Sequence, residues 1–174
     1  MGESGRALGV FVRVDAATLE PEAAFSNPAS CQVWSSIASG AFACLKNPVP
    51  YGTSYVSTGS VRRSDGTEAW TFSIAAANGA FGAKLSPDGN QVTVCCLDVP
   101  SGFGYVALTN GAPAQTLANG FEPQGWLDQG TLVGQYRPDP TAQPPFDLGY
   151  VALSSPGVAV PMGFKGLFVG TVRS

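Results

Sequence analysis

The sequence predicts an all-β protein made of short antiparallel strands, and three observations carry that prediction. The first is composition. Of 174 residues, 44% are hydrophobic and only 12% charged, roughly half the usual charged share. That apolar fraction can build a core in a chain of this length and excludes a disordered one. The second is punctuation. The 22 glycines and 14 prolines cut the chain into pieces that suit the tight turns of an all-β fold. No long amphipathic helical pattern exists. Residues 16–24 are the best helical candidate, and Pro21 interrupts them, because proline lacks an amide hydrogen and its ring clashes with the preceding turn. The third is repetition at a fixed spacing.

Gly104-Tyr105-Val106-Ala107-Leu108 recurs as Gly149-Tyr150-Val151-Ala152-Leu153, an offset of 150 − 105 = 45 residues. Self-similarity at such a period marks one supersecondary unit used several times. Looser echoes follow each copy, as Gln115-Thr116-Leu117 with Gly120-Phe121, and as Val158-Ala159-Val160 with Gly163-Phe164. Ser54-Tyr55-Val56-Ser57 is an earlier copy, and Gly9-Val10-Phe11-Val12 a weaker one.

In chain order, the elements read as follows. Val10 to Val14 is a strand, and Thr18-Leu19-Glu20-Pro21 is a turn leading to the next. Residues 31–42 read as strand, turn, strand, and Tyr55-Val56 lies on another strand. Residues 83–85 and 92–97 are strands joined by Ser86-Pro87-Asp88-Gly89. In that turn Pro presets φ, Asp bonds its own backbone, and Gly takes positive φ freely. Residues 104–108 and 114–117 complete a unit of four. The next unit is 125–127, 132–136, 148–153 and 158–160, with Asp128-Gln129-Gly130 as a shortened form of the same turn. Residues 166–172 read as one further strand, alignable to the first or the second of a unit.

Four strands in about 45 residues is the period of a β-propeller blade. A β-helix needs a shorter repeat, and an immunoglobulin-like sandwich has none. Leu85-Ser86-Pro87-Asp88-Gly89-Asn90-Gln91-Val92 resembles the Ser-Pro-Asp-Gly motif of WD40-like, TolB-type propeller repeats, which also build the propeller domains of prolyl-oligopeptidase-type peptidases. One unit carries the full motif. The Gly-His and Trp-Asp pair of the eukaryotic WD40 type is missing, since the chain has no histidine. The resemblance implies one propeller domain or propeller fragment over 1–174. Its complete blades would span about 31–80, 81–120 and 121–164, with a partial blade split between 6–30 and 165–174. Two arrangements fit: a piece of a larger propeller, which is preferred, or a closed four-bladed ring with a composite last blade.

The absence of histidine removes the commonest general base near neutral pH and the commonest metal ligand. A Ser-His-Asp hydrolase and a Cys/His zinc site are excluded within these residues. The four cysteines form no Cys-x-x-Cys knuckle. Cys95 and Cys96 are adjacent on a strand and point to opposite faces, so at least one is expected in the core as a small apolar residue. Cys31 and Cys44 flank a hairpin. They are either two core thiols or a disulfide, which would mark an oxidising compartment. Asp88, Asp128, Asp139 and Asp147 fall in turns or loops and read as turn formers. No calcium loop and no paired carboxylates for glycoside hydrolysis stand out. No cofactor is expected. Tyr55, Tyr105 and Tyr150 occupy equivalent positions, as do Trp34, Phe81 or Leu85, and Trp126. Repeated large side chains of this kind fill the space between neighbouring sheets.

Net charge is −3, and Arg62-Arg63 is the one cluster among nine Lys and Arg. Nucleic acid needs a basic stripe, so none is expected as a partner, and Arg62-Arg63 reads as a solvated strand end beside Ser64-Asp65-Gly66. No apolar run reaches the ~18 residues of a membrane helix. The first six residues lack the basic and apolar regions of a signal peptide. The longest irregular segment is the proline-rich 137–146. Ordered loops on a rigid scaffold often carry binding, so Arg137, Asp139 and Phe146 are the candidate contact residues for a protein or small ligand at the loop face. The expected function is a non-catalytic binding or scaffold module. The alternative is the propeller portion of a larger peptidase or lactonase-like enzyme whose catalytic residues lie outside this chain. Low charge, many small residues and the candidate disulfide favour an extracytoplasmic or secreted setting. A propeller fragment would also self-associate through its open ends.

Overall fold

The computed structural model describes residues 10–14, 18–26, 32–37, 39–46, 49–76, 80–99, 102–139 and 141–168. Among them there is no helix. The strands are β1 (Val10–Val14), β2 (Pro21–Ser26), β3 (Gln32–Ser36), β4 (Phe42–Leu45), β5 (Val49–Tyr51), β6 (Ser54–Arg62), β7 (Glu68–Ala76), β8 (Phe81–Leu85), β9 (Gln91–Val99), β10 (Gly102–Thr109), β11 (Gln115–Thr116), β12 (Phe121–Trp126), β13 (Thr131–Tyr136), β14 (Asp147–Ala152) and β15 (Val160–Lys165). They form a β1–β2 hairpin, a sheet of β3 to β7, and two sheets that run in chain order, β8 to β11 and β12 to β15. The pairings are antiparallel. In the first large sheet, β4 and the short β5 take successive halves of one edge of β6, and β7 takes the other edge. The described sheets do not close into a ring.

Alternation decides which way each strand faces. Along β7, Trp70, Phe72 and Ile74 are buried while Thr71, Ser73 and Ala75 are exposed, the period of two that a pleated strand imposes. Val61 and Gly59 of β6 stand opposite Trp70 and Phe72 on the same face. A Cβ at Gly59 would overlap the Phe72 ring, so the glycine makes room for that ring. This face packs on Ala83, Leu85, Val92, Val94, Val106 and Leu108 of the second sheet. The other side of the second sheet offers Ala107 to Phe121, Trp126, Leu132 and Val151 of the third. Each fully buried large apolar side chain contributes about 1.5–3 kcal/mol.

The Ser86-Pro87-Asp88-Gly89 segment is a tight turn between β8 and β9. The Gly89 amide donates to the Ser86 carbonyl at 2.9 Å, and Gly89 has φ +76. Ser86 is fully buried. Its hydroxyl donates to Asp88 at 2.6 Å and accepts from the Gln91 amide at 2.9 Å. The Trp70 indole of the first sheet donates to the Gly89 carbonyl at 2.9 Å. The Trp126 indole of the third donates to the Lys84 carbonyl at 3.2 Å. Both neighbouring sheets are thus bonded to the same hairpin. The first strands of the successive large sheets, β3, β8 and β12, lie beside one another.

Several expectations need correction. The helical candidate at 16–24 gives way to β2, which starts at Pro21 and pairs with β1; Asp15, Ala16 and Ala17 lie outside the described residues. β12 begins at Phe121 rather than at 125. It accommodates Pro123 at a register shift against β13, where a missing ladder donor is tolerated. The last strand of that sheet is 160–165 rather than 158–160. The Val158 amide instead closes a turn onto the Ser155 carbonyl at 3.0 Å. The long strand β7 was not among those read from the sequence. The extra strand expected at 166–172 is described only as far as Phe168, in irregular backbone. Cys95 is buried, as expected for one of its pair, but both it and Cys44 are disulfide-bonded and about 1% exposed. Cys44 is therefore not a core thiol, while the alternative that pairs it with Cys31 falls on a residue that lies outside the described ones, as does the side chain of Trp34.

Candidate binding site on the 137–146 loop

The loop leaves β13 under backbone control. The Arg137 amide donates to the Gly120 carbonyl at 2.7 Å. Gly120 has φ +74, and a Cβ there would run into the Arg137 carbonyl. Only glycine satisfies both conditions. Further on, the Asp139 carboxylate accepts from the Thr141 amide at 2.8 Å and the Thr141 hydroxyl at 2.7 Å. The Ala142 amide donates to the Asp139 carbonyl at 3.1 Å, and the Pro144–Pro145 peptide is cis. At the far end the Phe146 carbonyl accepts from the Gly166 amide at 3.2 Å. The loop is therefore tied to the third sheet at both ends.

Of the three residues singled out in the sequence, the structure brings two together. The Arg137 guanidinium lies over the Phe146 ring, 4.8 Å from its centroid, a cation–π contact. Asp139 is committed to its turn. Hydrogen bonds from the Thr141 hydroxyl and amide hold its carboxyl below the usual value.

One further residue, Tyr105, lies within electrostatic reach of Arg137, and spacing alone did not pick it out for binding. Tyr105, on β10 of the second sheet, is half-buried against the third. Burial, and next the Glu122 carboxylate of β12, push its phenol up to about 12, while Arg137 acts in the opposite sense. Tyr105 packs against the core of the third sheet, within electrostatic reach of Glu122 and Arg137. Tyr105 had been read as packing, in keeping with Tyr55 and Tyr150. Tyr55 shares its face of β6 with Val61, and Tyr105 its face of β10 with Ala107, so both turn toward the sheet that follows, while Tyr150 alternates with Val151 and so turns away from the second sheet.

Neither the Tyr105 hydroxyl nor the Arg137 guanidinium has a hydrogen-bond partner among the described residues. The loop therefore presents a cationic fork braced on Phe146, with the Tyr105 hydroxyl within its electrostatic reach. That set suits recognition by hydrogen bonds and charge.

The other polar features serve turns. Arg62 donates to the Gly66 carbonyl at 2.8 Å and lies 3.4 Å from Glu68, and Arg63 donates to the Glu68 carbonyl at 3.0 Å. Asp65 and Asp128 accept from Thr67 and Gly130. No group of three His, Cys, Asp or Glu side chains gathers as metal ligands among the described residues, and no helix there is long and apolar enough to cross a membrane. The chain matches no protein-family model, and no curated protein or solved structure is similar to it.

Proposed function

We propose that this chain is a non-catalytic binding module built from blades of a WD40-like β-propeller, and that it takes a protein or small ligand at the face carrying the 137–146 loop. Three features support the propeller reading. The large sheets stack in chain order, their first strands adjoin, and the repeated tyrosines of the first two, Tyr55 and Tyr105, turn toward the sheet that follows. The observation that carries the binding reading is Arg137: a guanidinium braced on Phe146, on a loop tied down at both ends, with no hydrogen-bond acceptor among the described residues. A surface ordered at that cost in side-chain freedom is suited to contact. The test is site-specific photo-crosslinking from Gln143 in the loop and, as control, from Ser154 in the exposed turn after β14. A partner captured from Gln143, not from Ser154, and lost in Arg137→Gln supports the reading. Equal capture from both positions, or capture indifferent to Arg137, defeats it.

A further inference from the structure

We infer that Cys95 and Cys96, neighbours in the sequence, are disulfide-bonded to each other, and that this bond is a redox-sensitive lock on the register of β9 against β10.

Cys44 and Cys95 are both disulfide-bonded and 1% exposed, but not to one another. Ala43 and Leu45 of β4 pack into the core that the first sheet shares with the second, so Cys44, between them, turns to the far side of the first sheet. Val92 and Val94 of β9 enter that core from the second sheet. Cys95 alternates with Val94 and stands opposite Tyr105, which packs on the third sheet. The two sulfurs therefore point away from each other. Stacked sheets lie about 10 Å apart, whereas a disulfide needs its Cα atoms within about 7 Å. Cys96, also on β9, is equally out of reach of Cys44. Of the four cysteines, only Cys31 remains for Cys44, and only Cys96 for Cys95.

The register lets these neighbours meet. Gly104 stands opposite Leu97 and Tyr105 opposite Cys95, so Cys96 is the extra residue of a β-bulge. Two consecutive residues of a bulge face one on the partner strand. The alternation expected to send Cys95 and Cys96 to opposite faces is suspended there. The bond in turn holds the bulge in place. Once it opens, residues 97–99 are free to slip by one position against 102–104, a slip that turns a strand over to its other face. Opening is a two-electron reduction. One thiolate of a dithiol reductant attacks a sulfur of the pair and forms a mixed disulfide, and its second thiolate displaces the protein sulfur. Both cysteines end as thiols, each with a proton, and the reductant ends as its own disulfide.

The pairing is tested by peptide mapping of the full chain, folded under oxidising conditions and alkylated in denaturant without reductant. The peptide holding Cys95 and Cys96 should carry no alkyl group, be joined to no other peptide, and be lighter by two hydrogens than its reduced form. Cys31 and Cys44 should lie on two chymotryptic peptides joined by one bond. A link from Cys95 or Cys96 to Cys31 or Cys44, a bond between two chains, or alkylation of Cys95 and Cys96 would overturn the pairing. The lock is tested by hydrogen–deuterium exchange with and without dithiothreitol, mass spectrometry confirming that the pair is reduced. Exchange at 97–99 and 102–104 should rise about tenfold on reduction, with β14 unchanged. The Cys95→Ala, Cys96→Ala variant should show the fast rate without reductant and no further response to it at those residues. The parent's own response decides the matter where that variant does not fold. Exchange that stays the same in the parent once the pair is reduced would overturn the lock and leave the pairing standing.

Discussion

At the scale of single residues, aspartates and glycines set the local geometry. The carboxyls of Asp65, Asp128 and Asp139 lie below the ordinary 3.8 because the Thr67 hydroxyl, the Gly130 amide and the Thr141 hydroxyl donate to them. For Asp88 burial pulls the other way, but hydrogen bonds from Ser86 and Asn90 outweigh it. A carboxyl depressed in the folded state contributes stability that is fully present above its unfolded value and is lost as pH falls through the folded one. Melting temperature should therefore hold steady from pH 7 down to about 5 and then fall below about pH 4. The variant with Asn at all four positions should show a shallower fall, and an equal slope would refute the assignment. Gly59→Ala should cost about 1–3 kcal/mol, because the new methyl meets the Phe72 ring in a packed interior; urea unfolding measures it. The turns at Asp65, Asp88, Asp128 and Asp139 were legible in the sequence because an Asx turn is a local event, whereas Asp147, expected in a turn or loop, opens β14 and pairs with Tyr136. The packing of Tyr105 on the third sheet was not, because it depends on which sheet stacks on which.

At the scale of elements, the hairpin β8–β9 was the easiest to read, since Ser86-Pro87-Asp88-Gly89 holds its whole turn chemistry in four residues. β12 was harder. Pro123 argues against a strand, and only the bulge opposite Gly134 reconciles the two. A Cβ at Gly134 would strike the Glu122 carbonyl, and a backbone carbonyl cannot swing aside. Gly134→Ala should push β12 off β13, with a loss of about 2–3 kcal/mol and faster amide exchange along β12. Exchange unchanged from the parent would mean that the strand shifts without loss. β7 was legible from local alternation, Trp70, Phe72 and Ile74 against Thr71, Ser73 and Ala75, a signal independent of the 45-residue repeat that picks out the other strands. Trp126→Phe removes one donor and leaves part of a buried ring's volume unfilled, so it should cost at least about 1 kcal/mol by the same denaturation measurement.

At the scale of the whole molecule, the third sheet ends in an unusual edge. Every residue of β15 is exposed, with Val160 38%, Met162 37% and Phe164 52% accessible. Pro161 and the positive φ of Gly163 blunt the edge against strand addition, but they leave the apolar side chains open. Self-association in solution should follow and should fall in the Met162→Lys, Phe164→Lys double variant, as read by light scattering on eluting species. A parent that runs as a clean monomer would refute this. The two tryptophan bonds converging on the β8–β9 hairpin have a different consequence. In a stack where each layer touches only its neighbours, stability is a sum of layer terms and interface terms, and the layer clasped from both sides opens last. Deuterium uptake should therefore be slowest along β9 and rise toward β7 on one side and β14 on the other, so that opening proceeds from the outer layers inward. Removing either indole would release its own flank alone, so uptake would rise on that side and stay unchanged on the other.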